Sequence, residues 1–327
     1  MAIYPKIGKV KRIGVVNPCG ILPSLFPERL NRSRQYLEKK GYEVFLADSC
    51  FINKNGRPGS ADRRANEINC FFRDDSIDAI LCASGGLHSN EVLPLLDYES
   101  IKSTKKFFCG YSDVTLIHAA LQSKSNLVTF YGPCLLTEFG EYPQPFVDTI
   151  KSFENSLCSK VLNLEKINSY TDSFIDWNTY KESRITQPNS IEVLREGIGE
   201  GNFVGGCLPS LIQLTGTTFD YDYENAILFL DIPEGEILGK GLSVQRVQMM
   251  ITDLKNQGKL DKLQGMVLGK FYRQDILSER KILSHILDTC KNIPIVYGYN
   301  ISHGDPQITI PIGVKCNLIN GCVHFKY

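Results

Sequence analysis

Short apolar runs alternate with helix-patterned segments through the first part of the chain, and most of the runs end in a glycine turn. Lys11–Asn17, Glu43–Leu46, Ala79–Ala83, Phe107–Cys109 and Thr129–Tyr131 read as strands. Pro27–Lys40 and Ser60–Arg73 carry helical periodicity between them. Strands that alternate with helices predict an α/β fold, here a Rossmann-like parallel sheet flanked by helices. Such sheets collect ligands at the carboxyl ends of their strands. The turns at those ends are Pro18-Cys19-Gly20, Ser84-Gly85-Gly86, Gly110-Tyr111-Ser112 and Gly132-Pro133. Glycine there lets backbone come close to a ligand.

The 327 residues are enough for two domains. We divide them into an N-terminal unit over 1–165, a connection or active-site loop over 166–200, and a C-terminal unit over 201–327. The middle segment is rich in Asn, Ser, Thr, Asp, Pro and Gly and holds the only tryptophan, Trp177. Beyond it, strands are expected at Ala226–Leu230, Gly265–Leu268, Ile295–Gly298, Gln307–Ile312 and Cys316–Phe325. Helices are expected at Leu208–Thr215, Ser243–Gln257 and Ile276–Lys291, giving a second α/β domain with more β character.

Thirty-six basic and thirty-six acidic residues leave no charge footprint for a nucleic-acid polymer or a membrane surface. No signal-peptide core is visible at the N-terminus. Eleven scattered cysteines without a C-x-x-C pair read as reduced, buried thiols in a cytoplasmic protein. The five histidines show no H-E-x-x-H, so no metal is expected. Gly239-Lys240-Gly241 lacks the Ser/Thr of a P-loop, and Gly197-Ile198-Gly199-Glu200-Gly201 follows no clear strand. No nucleotide cofactor is therefore expected.

Ser112 falls on the joint between the run Phe107–Cys109 and the helical pattern Val114, Ile117, His118, Leu121. One reading is an N-cap. The other is a nucleophile presented on a sharp turn beside free helix amides. A serine nucleophile needs a base, and His303 lies in a turn-rich stretch before a strand. His118 falls on an apolar face and reads as core. Asp231 ends the run Ile227–Leu230, where a carboxylate can reach an imidazole; Glu234 and Glu236 are alternatives. The amides of Gly86 and Asp113 are the expected oxyanion donors. Gly85 and His88 follow the third strand as candidate substrate contacts.

Six segments, in order, resemble the LD-carboxypeptidase and microcin C self-immunity family of serine peptidases. They are Ala83–Gly86, Gly110–Thr115, Thr129–Pro133, Gly205–Leu208, Ile227–Asp231, and His303–Pro306 leading into Thr309–Gly313. The resemblance implies a Ser-Glu-His triad, with Ser112 as nucleophile, His303 as base, and Asp231 at the position of the family's Glu. It also implies a cytoplasmic, often dimeric protein acting on a small peptide-like substrate. Ser84-Gly85-Gly86-Leu87-His88 stands where murein carboxypeptidases have Arg-Gly-Gly-Tyr-Gly, and the run from Ser89 to Tyr98 is similar to the immunity branch. That branch commonly carries Gly-Trp where this chain has Asn189-Ser190-Ile191; Trp177 could substitute. The expected activity is amide hydrolysis through an acyl-enzyme. The substrate is a peptidyl- or aminoacyl-nucleotide, or a murein tetrapeptide. A non-catalytic relative with a decayed triad is the opposing expectation.

Overall fold

The computed structural model describes residues 2–6, 8, 10–179, 181–237 and 239–327. The first sheet runs, edge to edge, through Ile310–Ile312, Thr129–Tyr131, Phe107–Gly110, Ala79–Cys82, Arg12–Val16 and Glu43–Leu46. Its five N-terminal strands are parallel, as the alternation predicts. The central strands Ala79–Cys82 and Phe107–Gly110 are buried along their whole length, the pattern of a sheet covered on both faces. The expected helices form over Pro27–Lys39 and Ala61–Arg73. Ser60 starts the latter by accepting the Arg63 amide. Pro27 sits in the first turn of the former, where its missing N–H costs nothing.

The second sheet runs through Cys322–Lys326, Val314–Ile319, Ile198–Cys207, Ala226–Asp231, Gly265–Gly269, Ile295–Tyr299 and Glu192–Arg195. Its four inner strands are parallel and its edges antiparallel. Helices Leu208–Gln213, Val244–Asn256 and Ile276–Thr289 accompany it, close to the expected spans.

Three features depart from the sequence reading. The stretch 307–312 contributes only Ile310–Ile312, which leaves the C-terminal part to pair antiparallel with Thr129–Tyr131 in the first sheet. The run Cys316–Phe325 is a hairpin of two strands turning at Asn320-Gly321, both at positive φ. Ile198–Cys207 is a ten-residue strand where the sequence reading assigned none. Its glycines are required by packing. A Cβ on Gly201 would lie 2.0 Å from the Asn225 carbonyl, and one on Gly205 equally close to that of Phe229.

Candidate active site

Ser112 stands at the carboxyl end of Phe107–Gly110, opening a single 3-10 turn before the helix Thr115–Ser125. Its φ is 65°, a left-handed conformation that a non-glycine residue adopts only when its surroundings impose it. Tyr111, not Ser112, occupies the cap position of that turn. The Ser112 amide instead donates to the Tyr131 hydroxyl at 3.2 Å. Gly85 leaves room for the side chain: a Cβ there would sit 2.8 Å from Ser112 Cβ and 2.9 Å from its Oγ.

His303 comes from the loop after Ile295–Tyr299 and presents Nε2 to Ser112 Oγ at 2.9 Å. Its Nδ1 faces Asp231, 3.0 Å from Oδ1 and 2.8 Å from Oδ2. The Asp231 side chain is wholly buried and that of His303 nearly so, 5% exposed. Asp231 ends the strand Ala226–Asp231, as expected, while Glu234 and Glu236 are exposed. The Tyr131 hydroxyl donates to Asp231 Oδ2 at 2.5 Å. A hydroxyl, an imidazole and a carboxylate thus form one hydrogen-bonded line, an arrangement able to move a proton off the serine.

The charges around the line act on the imidazole. Burial alone would lower the His303 pKa, but Asp231 first and Glu234 second outweigh it and hold the ring above its ordinary value. Glu138 lies behind, where burial and the Asp305 charge push its carboxyl up to about 7. Glu138 Oε1 accepts from Tyr111, whose ring meets that of His303 edge-on at 5.0 Å between centroids.

The oxyanion candidates lie beside Ser112. Asp113 turns its carboxylate inward to accept the Ser89 amide at 2.9 Å. Burial raises that carboxyl above the usual range. Gly86 approaches the first turn so closely that a Cβ would meet the Cys19 carbonyl at 2.4 Å. Arg64, fully buried, binds the two turns together by donating to the carbonyls of Pro18 at 2.5 Å and His88 at 2.9 Å.

His88 is half-buried, with Nδ1 4.0 Å from Glu91 Oε1 and no bond to the Ser112–His303–Asp231 line. Trp177 also stands apart from that line, with the Arg29 guanidinium over its ring at 4.3 Å and Phe26 against its edge. His118 is core: it bonds Thr129 Oγ1 at 2.8 Å and the Gly110 carbonyl at 2.9 Å, and burial lowers its pKa to about 4.

The sequence reading missed Tyr131, whose only signal was a strand end before Gly132-Pro133. It also missed the clamp on the His303 loop. Thr171 and Asp305 exchange backbone hydrogen bonds of 2.6 and 2.8 Å. Arg184 joins Asp305 to Glu141, with 2.6 Å to the latter. The segment 166–200 is thereby stitched to the His303 loop.

Comparison with known proteins identifies the family of the chain. The LD-carboxypeptidase N-terminal domain matches residues 13–132 and the LD-carboxypeptidase C-terminal domain matches residues 200–318. The Escherichia coli microcin C7 self-immunity protein MccF is 31% identical over 301 residues, covering 88% of this chain and 84% of that protein. A probable murein peptide carboxypeptidase of Bacillus subtilis is 28% identical, covering 94% and 89%. The structure of MccF in complex with glutamyl sulfamoyl guanosine superposes with a TM-score of 0.91 at 28% identity, covering 100% of this chain and 99% of that one. The chain therefore belongs to the LD-carboxypeptidase family of serine peptidases.

Proposed function

We propose that this peptidase cleaves the amide bond of an aminoacyl- or peptidyl-nucleotide, with Ser112 as nucleophile, His303 as general base and Asp231 as its orienting carboxylate. The observation that carries the assignment of roles is the contact of His303 Nε2 with Ser112 Oγ at 2.9 Å. The substrate class rests on the aminoacyl-nucleotide analogue bound by the structurally similar MccF.

Asp231 holds the proton of His303 on Nδ1, which leaves the Nε2 lone pair to take the Ser112 proton as the oxygen attacks the carbonyl. The oxyanion falls to the amides of Gly86 and Asp113, since the Ser112 amide is engaged by Tyr131. His303 then protonates the departing amine, and water resolves the acyl-enzyme through the same base. The Gly85 backbone lies against the reacting oxygen, and His88 and Trp177 are assigned as substrate contacts.

A murein tetrapeptide is the second reading. It is favoured by the packing of Trp177 against Arg29 and Phe26, which engages the ring that would stand in for the immunity branch's tryptophan. A mass-spectrometric assay of both substrates decides between them. Release of the amino acid from an aminoacyl-sulfamoyl adenosine, lost in Ser112→Ala, supports the first reading. Release of D-alanine alone supports the second. No product from either substrate would overturn the proposed specificity.

We further infer that the protein is a cytoplasmic homodimer built from the units 1–165 and 201–327 joined by 166–200. All eleven cysteines are free, which supports a reducing compartment. No helix among the described residues is long and apolar enough to cross a membrane. Light scattering of the purified chain tests the dimer.

A further inference from the structure

The strand Ile198–Cys207 ends one residue pair from the proposed catalytic carboxylate. Cys207 is the register partner of Asp231 in the parallel pairing of their strands. Register partners in a parallel pair project to the same face. A ligand atom of Cys207, one of Asp231 and one of His303 accordingly lie within 4.8 Å of one another. Among the described residues, no other group of three or more His, Cys, Asp or Glu side chains has this closeness.

We propose that Cys207, Asp231 and His303 form a zinc site that switches the hydrolase off. A thiolate, an imidazole and a carboxylate are the donors Zn²⁺ prefers, and three protein ligands leave a fourth position for water. Tetrahedral zinc with these donors sets ligand atoms about 3.3–3.8 Å apart. The His303–Asp231 contacts of 2.8 and 3.0 Å need to open by tenths of an ångström, and the thiol, within 4.8 Å of both partners, needs to close by at most about an ångström. The thiolate disfavours Mg²⁺ and Ca²⁺, which take oxygen ligands.

Nε2 of His303 faces Ser112, so Nδ1, which faces Asp231, is the nitrogen left for the metal. Zinc on Nδ1 takes the place of the proton held there. The ring keeps one proton, now on Nε2, and the thiol proton leaves to solvent. A protonated Nε2 cannot accept the Ser112 proton, and the orienting contact of Asp231 is spent on the metal. The inhibition rests on the roles proposed above; the binding does not.

The test is a zinc titration of the full chain against a chromophoric chelator, beside hydrolysis and Ser112 labelling by a fluorophosphonate. One equivalent should bind, abolish labelling and resist competition by Mg²⁺. Cys207→Ser and Cys207→Ala, checked by thermal melting, should bind zinc at least about tenfold more weakly and keep labelling at zinc levels that silence the native chain. His303→Gln should lose the site as well. Unchanged zinc affinity in these variants, or undiminished inhibition in both cysteine variants, would overturn the proposal. Chelator competition reads the site even if neither substrate is hydrolysed, so its outcome is separate from that of the proposed specificity.

Discussion

The Tyr131 hydroxyl donates to Asp231 Oδ2 at 2.5 Å, across the gap between the first sheet and the second. The Tyr131 hydroxyl oxygen also accepts the Ser112 amide at 3.2 Å. One phenol thus connects the backbone of the proposed nucleophile to the carboxylate proposed to orient its base, and the phenol and the carboxylate are both buried.

Tyr131→Phe removes that connection and leaves Asp231 one hydrogen bond short in a buried site. The expected cost is about 1–3 kcal/mol of stability. Turnover should fall about tenfold to a hundredfold, in kcat more than KM. Thermal melting and steady-state kinetics on the same preparation measure both. Unchanged kcat would make Tyr131 a packing residue only.

Asp231→Asn should fold normally and lose about four orders of magnitude in kcat, because the amide favours the wrong tautomer of His303. Asp231→Glu is expected to be damaging too, although Glu is what the family resemblance implies at this position. The site is fully enclosed, and an added methylene in a packed interior costs about 1–3 kcal/mol. Circular dichroism and kinetics on the two variants test this pair.

The His303 imidazole is held above its ordinary pKa by Asp231 and Glu234. Only the neutral ring can take the Ser112 proton. Activity should therefore rise with pH, and the acid limb of kcat/KM should have its midpoint above the usual 6.5 of histidine. Glu234→Gln removes one of the charges that stabilise the imidazolium, so the midpoint should move down. A pH–rate profile of both proteins shows the shift; coincident limbs would exclude Glu234 from the field at His303.

Gly85→Ala and Gly86→Ala should separate activity from folding. The first places a methyl against Ser112 Cβ and Oγ, and labelling of Ser112 should collapse with a smaller loss of stability than in the second. The second drives a methyl into the Cys19 carbonyl and should cost about 1–3 kcal/mol or more. Melting curves beside fluorophosphonate labelling distinguish the two.

Arg184→Gln leaves the Glu141 and Asp305 carboxylates without their shared cation. Both are largely buried, so a loss of about 3–5 kcal/mol is expected. Turnover should fall as well, since Asp305 is two residues from His303. Arg184→Lys, which keeps the charge, should recover part of each loss.

Local pattern carried much of the fold and of the site. The alternation of Arg12–Val16, Glu43–Leu46, Ala79–Cys82 and Phe107–Gly110 with amphipathic helices is written in nearest neighbours, and it appears in the structure within a residue or so at each end. Ser112, His303 and Asp231 were legible because each stands at a strand end or turn that glycine, proline or an apolar run marks locally. What stayed hidden depends on partners distant along the chain. Glycines in Ile198–Cys207 hide the strand until the carbonyls of Asn225 and Phe229 supply the reason for them. Ile310–Ile312 reads as a strand, but only the open edge at Thr129–Tyr131 decides which sheet it joins. The Arg184–Asp305 clamp and the meeting of Cys207 with Asp231 likewise come from packing and register. Periodicity tells a segment which shape to take and which face to bury; the choice of neighbour is made by shape and hydrogen bonding between whole sheets, and no single stretch of sequence contains both halves of that contact.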